Sequence, residues 1–88
     1  MSSVTPPIRV KVLFFGRLKE IAGEAEEFAE VTPGSRIEDL FTSFIARRPE
    51  LARYRSSLVA SRNQEFAAWS TLLDAGDEIA FLPPVSGG

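Results

Sequence analysis

A chain of 88 residues, 44% of them hydrophobic, is long enough for one compact core and too short for two. Its net charge of −2, with Lys and Arg scattered rather than gathered into a stripe, lacks the electrostatic footprint of a nucleic-acid binder, so no nucleic-acid partner is expected. With no Cys and no His, the chain cannot build a disulfide, a thiolate nucleophile, a sulfur-ligated metal site or a Ser-His-Asp constellation, and neither a metal nor a bound cofactor is expected.

The first segment, Ile8 to Phe15, is β-branched and aromatic, with Ile8, Val10, Val12 and Phe14 on one face and Arg9, Lys11, Leu13 and Phe15 on the other. The spacing predicts a strand whose first face is buried, leaving Leu13 and Phe15 on the less buried side. Its unbroken apolar stretch, Val12 to Phe15, is far short of the ~20 residues needed to cross a bilayer. No charged region followed by an apolar core marks a secretory signal, so a cytoplasmic chain without membrane association is expected.

Gly16 to Gly23 holds Leu18, Ile21 and Ala22 at the spacing of a short helical turn, ended by Gly23. Glu24 to Val31 alternates as a second strand. Ser35 and Glu38 have the spacing of a capping box, and Ile37, Leu40, Phe41, Phe44 and Ile45 recur behind them as one helical stripe. Arg47 and Arg48 suit the negative end of that helix, and Pro49 stops it. An Arg-rich connection follows. Leu58 to Ser61 and Phe66 to Trp69 read as short strands around Asn63 and Gln64, where Asn63 tolerates the positive backbone angle of a tight hairpin. Asp74 to Asp77 is a turn, and Glu78 to Leu82 a last strand with Ile79 and Phe81 on one face and Glu78, Ala80 and Leu82 on the other. The acidic pairs Glu26 and Glu27, Glu38 and Asp39, and Asp77 and Glu78 read as solvated faces or caps.

This order implies an α+β domain of the ubiquitin-like β-grasp type, a mixed sheet with one main helix packed on one face. The first and last strands are expected side by side and parallel at the centre. Residues 1–82 would form the domain, with 1–7 extended or disordered, and 83–88 a flexible C-terminal tail ending in Gly87 and Gly88. Pro83 and Pro84 stop the strand and hold the exit extended. Gly87 and Gly88 carry no side chain, so the terminal carboxylate can be threaded down a narrow channel. Such a carboxylate reacts once adenylation with ATP has made its oxygen a leaving group.

Val12 to Phe15 followed by Leu18, Glu20 and Gly23, then Asn63 and Gln64, and above all the thirteen residues Gly76 to Gly88 (GDEIAFLPPVSGG) resemble the small-subunit family of molybdopterin synthase, the MoaD family. The resemblance covers nearly the whole chain after the first seven residues. It implies that Gly88 is adenylated by a MoeB-like, ubiquitin-activating-like adenylyltransferase that uses ATP, and then thiocarboxylated with the help of a sulfur-donating sulfurtransferase. It implies further that the tail, Pro83, Pro84, Ser86, Gly87 and Gly88, enters a MoaE-like large subunit in a hetero-oligomer. There sulfur passes to cyclic pyranopterin monophosphate to build the dithiolene, on catalytic side chains of the large subunit and without a phosphopantetheine arm. Phe15, Phe66 and Leu82 fall where the family docks its partner, and Lys19, with Arg17, adds charge. Arg62 departs from the family, which carries an apolar residue before Asn63, and this bears on the local partner contact. A carrier for thiazole or a thiolated nucleotide, a ubiquitin-like protein modifier and a plain interaction domain are the alternatives. The Pro-Pro-Val-Ser exit favours the pterin carrier over thiazole carriers.

Overall fold

The computed structural model describes residues 6–83. Pro84, Ser86, Gly87 and Gly88, and the first five residues of the expected 1–7 extension, lie outside that range.

Strand β1 (Ile8–Phe14) leads through Phe15 and Gly16 into helix α1 (Arg17–Ala22), then strand β2 (Glu26–Val31), helix α2 (Ile37–Arg47), a 3-10 segment (Pro49–Ser57), and strands β3 (Val59–Arg62), β4 (Glu65–Ala67) and β5 (Glu78–Leu82). The sheet order is β2-β1-β5-β3-β4, with β1 and β5 parallel and the other pairs antiparallel. This is the expected mixed β-grasp sheet.

Period-two patterning decides which face is closed. Val10, Val12 and Phe14 of β1, Ile79 and Phe81 of β5, and Ala60 of β3 point to the helix side and are buried. From α2, Ile37, Leu40, Phe41 and Phe44 close over them, with Ile45 partly buried at the margin. The contact is aromatic: Phe14 meets Phe44 edge-on at 5.2 Å and Phe41 meets Phe81 at 4.8 Å between ring centroids, the geometry that the ring quadrupoles favour. Trp69 stacks on Phe81 at 5.6 Å and is covered by the Arg55 guanidinium at 3.6 Å.

Four local expectations are corrected. The helix does not begin with a Ser35–Glu38 box. Ser35 and Arg36 are held extended by pairing with the segment before β5, where Leu73 N–H donates to Ser35 O and Ile37 N–H to Thr71 O. The helix therefore starts one residue later, and the Arg36 amide donates to Asp39 Oδ2 at 2.8 Å. The Arg-rich connection is a 3-10 segment anchored by the fully buried Leu51. The hairpin strands are shifted to Val59–Arg62 and Glu65–Ala67, because Asn63 and Gln64 both take positive φ, 52° and 72°, and form the two-residue turn themselves. The second strand starts at Glu26 rather than Glu24.

Most of the acidic pairs behave as read. Glu26 bridges Lys11 at 3.4 Å, Glu27 bridges Arg47 at 2.9 Å, and Asp39 caps α2. Asp77 is the exception and is buried.

Candidate functional site: an apolar hollow beside the tail exit

Among the described residues, no helix lies over the other face of the sheet. Register places its side chains in rows. Glu26, Leu13, Ala80, Ser61 and Phe66 are successive cross-strand neighbours on β2, β1, β5, β3 and β4. One row nearer the chain exit, Leu82 pairs with Val59, and Phe15 continues the β1 face just past the strand end. The small residues fall in the middle of this pattern and the large ones at its edges.

The result is a shallow hollow lined by Phe15, Leu82 and Phe66, with Ala80 and Ser61 as its floor and Gln64 and Glu78 on its polar rim. Ala80 and Ser61 are each only 7% exposed although they lie on the open face, because their large neighbours wall them in. The walls are exposed: Phe15 at 43% and Phe66 at 82%. An aromatic ring left so far in water on a three-residue edge strand contributes little to the core, and clustered apolar exposure of this kind marks an interaction surface. The structure thus brings together Phe15, Phe66 and Leu82, which the sequence had separated by up to 67 positions (82 − 15). Lys19 and Arg17 are exposed on α1 and do not line the hollow; Arg17 pairs with Glu20 at 3.7 Å.

The tail leaves at the same end. Strand β5 is hydrogen-bonded on both sides, to β1 and β3, and Pro83 follows Leu82 as an exposed residue that cannot extend the ladder. Gly16 adopts φ 57° and ψ −131°, a conformation that L side chains avoid, and a Cβ placed on it would lie 3.6 Å from Pro83 Cγ. The β1–α1 turn therefore runs directly beside the exit.

Behind the hollow, a polar cluster missed from sequence joins the β3–β4 turn to the start of β5. Arg62 Nε donates to Asp77 Oδ2 at 2.7 Å, an Arg62 terminal nitrogen to Asp74 Oδ2 at 3.0 Å, and Asn63 Nδ2 to Asp77 Oδ1 at 3.1 Å. The Asp74 amide also donates to Asp77, at 2.7 Å, and the Glu78 amide donates to Asn63 Oδ1 at 2.9 Å. Burial alone would push the Asp77 carboxyl up, yet the hydrogen bonds from Arg62, the Asp74 amide and Asn63 together hold it below the usual carboxylate value. Arg62, the departure from the family pattern, is thus held within the fold. Among the described residues no helix is long and apolar enough to cross a membrane, and no three acidic groups gather as metal ligands.

The ThiS family matches residues 12–88. The chain is 37% identical over 83 residues to the molybdopterin synthase sulfur carrier subunit of Chlamydomonas reinhardtii, covering 92% of this chain and all of that one. Among solved structures it is similar to SAMP1, a small archaeal modifier protein of Haloferax volcanii, at 30% identity and a TM-score of 0.79, covering 91% and 99% of the two chains. It is also similar to a chain in the complex of subunits 1 and 2 of the molybdopterin-converting factor of Helicobacter pylori, at 27% identity and a TM-score of 0.63, covering 92% of this chain and all of the other.

Proposed function

The chain belongs to the ThiS family, and on that premise we propose that it is the sulfur carrier subunit of a molybdopterin synthase. The observation that supports this most is the placement of an exposed apolar hollow, Phe15, Leu82 and Phe66, at the end of the sheet from which Pro83 leaves. A carrier needs this arrangement, since one surface must hold the partner while the adjoining tail reaches into it. The Helicobacter pylori relative is found with a second subunit, which supports a hetero-oligomer with a large subunit here.

In this reading the Gly88 carboxylate attacks the α-phosphorus of ATP on the adenylyltransferase, releasing pyrophosphate and forming an acyl adenylate. Sulfide-level sulfur, released from a sulfurtransferase persulfide by a thiol reductant, then attacks the acyl carbon, AMP leaves and a proton is lost, giving the thiocarboxylate. In the large subunit the thiocarboxylate sulfur bonds to a carbon of cyclic pyranopterin monophosphate as the C–O bond at that carbon breaks, and water cleaves the acyl–sulfur bond to restore the carboxylate; two such transfers supply the two sulfurs of the dithiolene. Gly87 and Gly88 keep the channel passable and Pro83 with Pro84 sets the exit, while ATP is a substrate of the activating enzyme rather than a cofactor of this chain.

The test is intact mass after co-expression with an activating enzyme and a sulfur donor, followed by incubation of the product with a large subunit and cyclic pyranopterin monophosphate. One terminal oxygen is replaced by sulfur, the change disappears when Gly88 is deleted, and molybdopterin forms. Thiocarboxylation without molybdopterin would assign the chain to another sulfur pathway, thiazole or thiolated nucleotide. The likeness to SAMP1 favours a second reading, a protein modifier; linkage of Gly88 to lysine amines, with no thiocarboxylate, would establish it instead.

A further inference from the structure

The hollow has two kinds of wall. Leu82 ends β5 and Phe15 directly follows β1, the two strands at the centre of the sheet, each of which has a neighbouring strand on both sides. Phe66 does not share that support. It stands on β4, a strand of three residues with three register pairs to β3 and, among the described residues, no strand beyond it. Isolated hairpins of this size are marginal in water.

The β3–β4 turn is where additional support enters. Asn63 N–H donates to Glu78 O at 2.7 Å, while Asn63 Oδ1 accepts from the Glu78 amide, so the turn is tied to the first residue of β5 by backbone and side chain together. Arg62 spans outward from the last position of β3 to both Asp77 and Asp74, closing the loop before β5 against the hairpin. The Asp77 carboxylate accepts from Arg62, Asn63 and the Asp74 amide, and it is 4% exposed. A buried carboxylate stays charged in such a place because its partners satisfy it.

From this geometry we infer that Arg62, through Asp77 and Asp74, is a positioning residue that clamps the β3–β4 hairpin to β5 and so holds Phe66 at the spacing from Ala80 and Leu82 that the partner recognises. The clamp rests on the docking role proposed for Phe66. In this role Arg62 need not touch the partner. It acts by keeping the edge strand from splaying, so that the hollow exists in the free chain before the partner arrives.

Non-additivity separates this from a general loss of stability. Binding of the recombinant large subunit is measured by calorimetry for the wild-type chain, Arg62→Leu, Phe66→Ser and the double variant, at a temperature where all are folded. Asp74→Ala, which removes only the outer arm on an exposed carboxylate, is the milder companion should Arg62→Leu unfold. Arg62→Leu is expected to weaken binding about fivefold or more and to cost nothing further once Phe66 is Ser. Equal weakening in both backgrounds, or none in either, overturns the clamp. If the wild-type chain fails to bind the large subunit, the docking role falls. The clamp is then judged by hydrogen exchange: Arg62→Leu should speed exchange of the β4 amides relative to those of β5, and equal protection would refute it.

Discussion

Phe66 offers the sharpest test of the division between core and docking face. Full burial of a phenylalanine side chain is worth roughly 1.5 to 3 kcal/mol, and Phe66 is 82% exposed in the free chain. About a fifth of that burial is therefore realised in the fold, roughly 0.3 to 0.6 kcal/mol, and about four-fifths remains to be gained on docking, roughly 1.2 to 2.5 kcal/mol. Phe66→Ser should accordingly raise the Kd for the large subunit by roughly 8- to 70-fold. It should move the thermal midpoint by no more than a few degrees. Isothermal titration and thermal denaturation on the same preparation give both numbers. A Kd within twofold of wild type would refute the assignment of Phe66 to the interface. A large fall in Tm would show that the ring belongs to the core and that its exposure had been misjudged.

Gly16→Ala forces a side chain into a backbone conformation it avoids and is expected to cost about 1 to 3 kcal/mol, read by urea unfolding; an unchanged midpoint would show that the β1–α1 turn relaxes freely. Because the folded Asp77 carboxyl is held below its ordinary value of about 3.9, its stabilisation is fully present above that pH and lost as pH falls through the lower folded value. Unfolding free energies taken from pH 7 to 2 should show this acid-limb loss, and Arg62→Leu should shrink it. Phe41→Ala removes the ring that meets both Phe81 and Trp69, and should cost about 3 to 5 kcal/mol with loss of near-ultraviolet aromatic signal.

What the sequence disclosed and what it withheld divide along local and non-local lines. The alternation of Ile8, Val10, Val12 and Phe14 and the stripe from Ile37 to Ile45 are each set by one element's own period, and both match the buried faces observed. Asn63 announced the turn for the same local reason. The start of α2 could not be placed because the decisive contact, Arg36 with Leu72, comes from the far end of the chain. The 3-10 segment was hidden by its polarity, since Leu51 is its one fully buried anchor. Asp77 looked like a solvated turn residue because its main partner, Arg62, lies 15 positions away on another strand. Phe15 and Leu82 could be assigned to the less buried face by alternation. That Ala80 and Ser61 would floor a hollow between them depends on register, which alternation within single strands does not supply.

In the proposed carrier, strand β5 would join docking and delivery within one element. Its alternate residues Ile79 and Phe81 are the centre of the aromatic core, while Ala80 and Leu82 on its other face form the hollow, and Pro83 follows immediately. Hydrogen bonds to β1 and β3 flank it, so no hinge separates the core from the hollow. The rigidity generated by burying Phe41, Phe81 and Trp69 together on one face is thereby transmitted to the position of the hollow on the other. Side chains that alternate across a strand let five residues serve both faces, so the exit of the chain is fixed by the same packing that stabilises the fold.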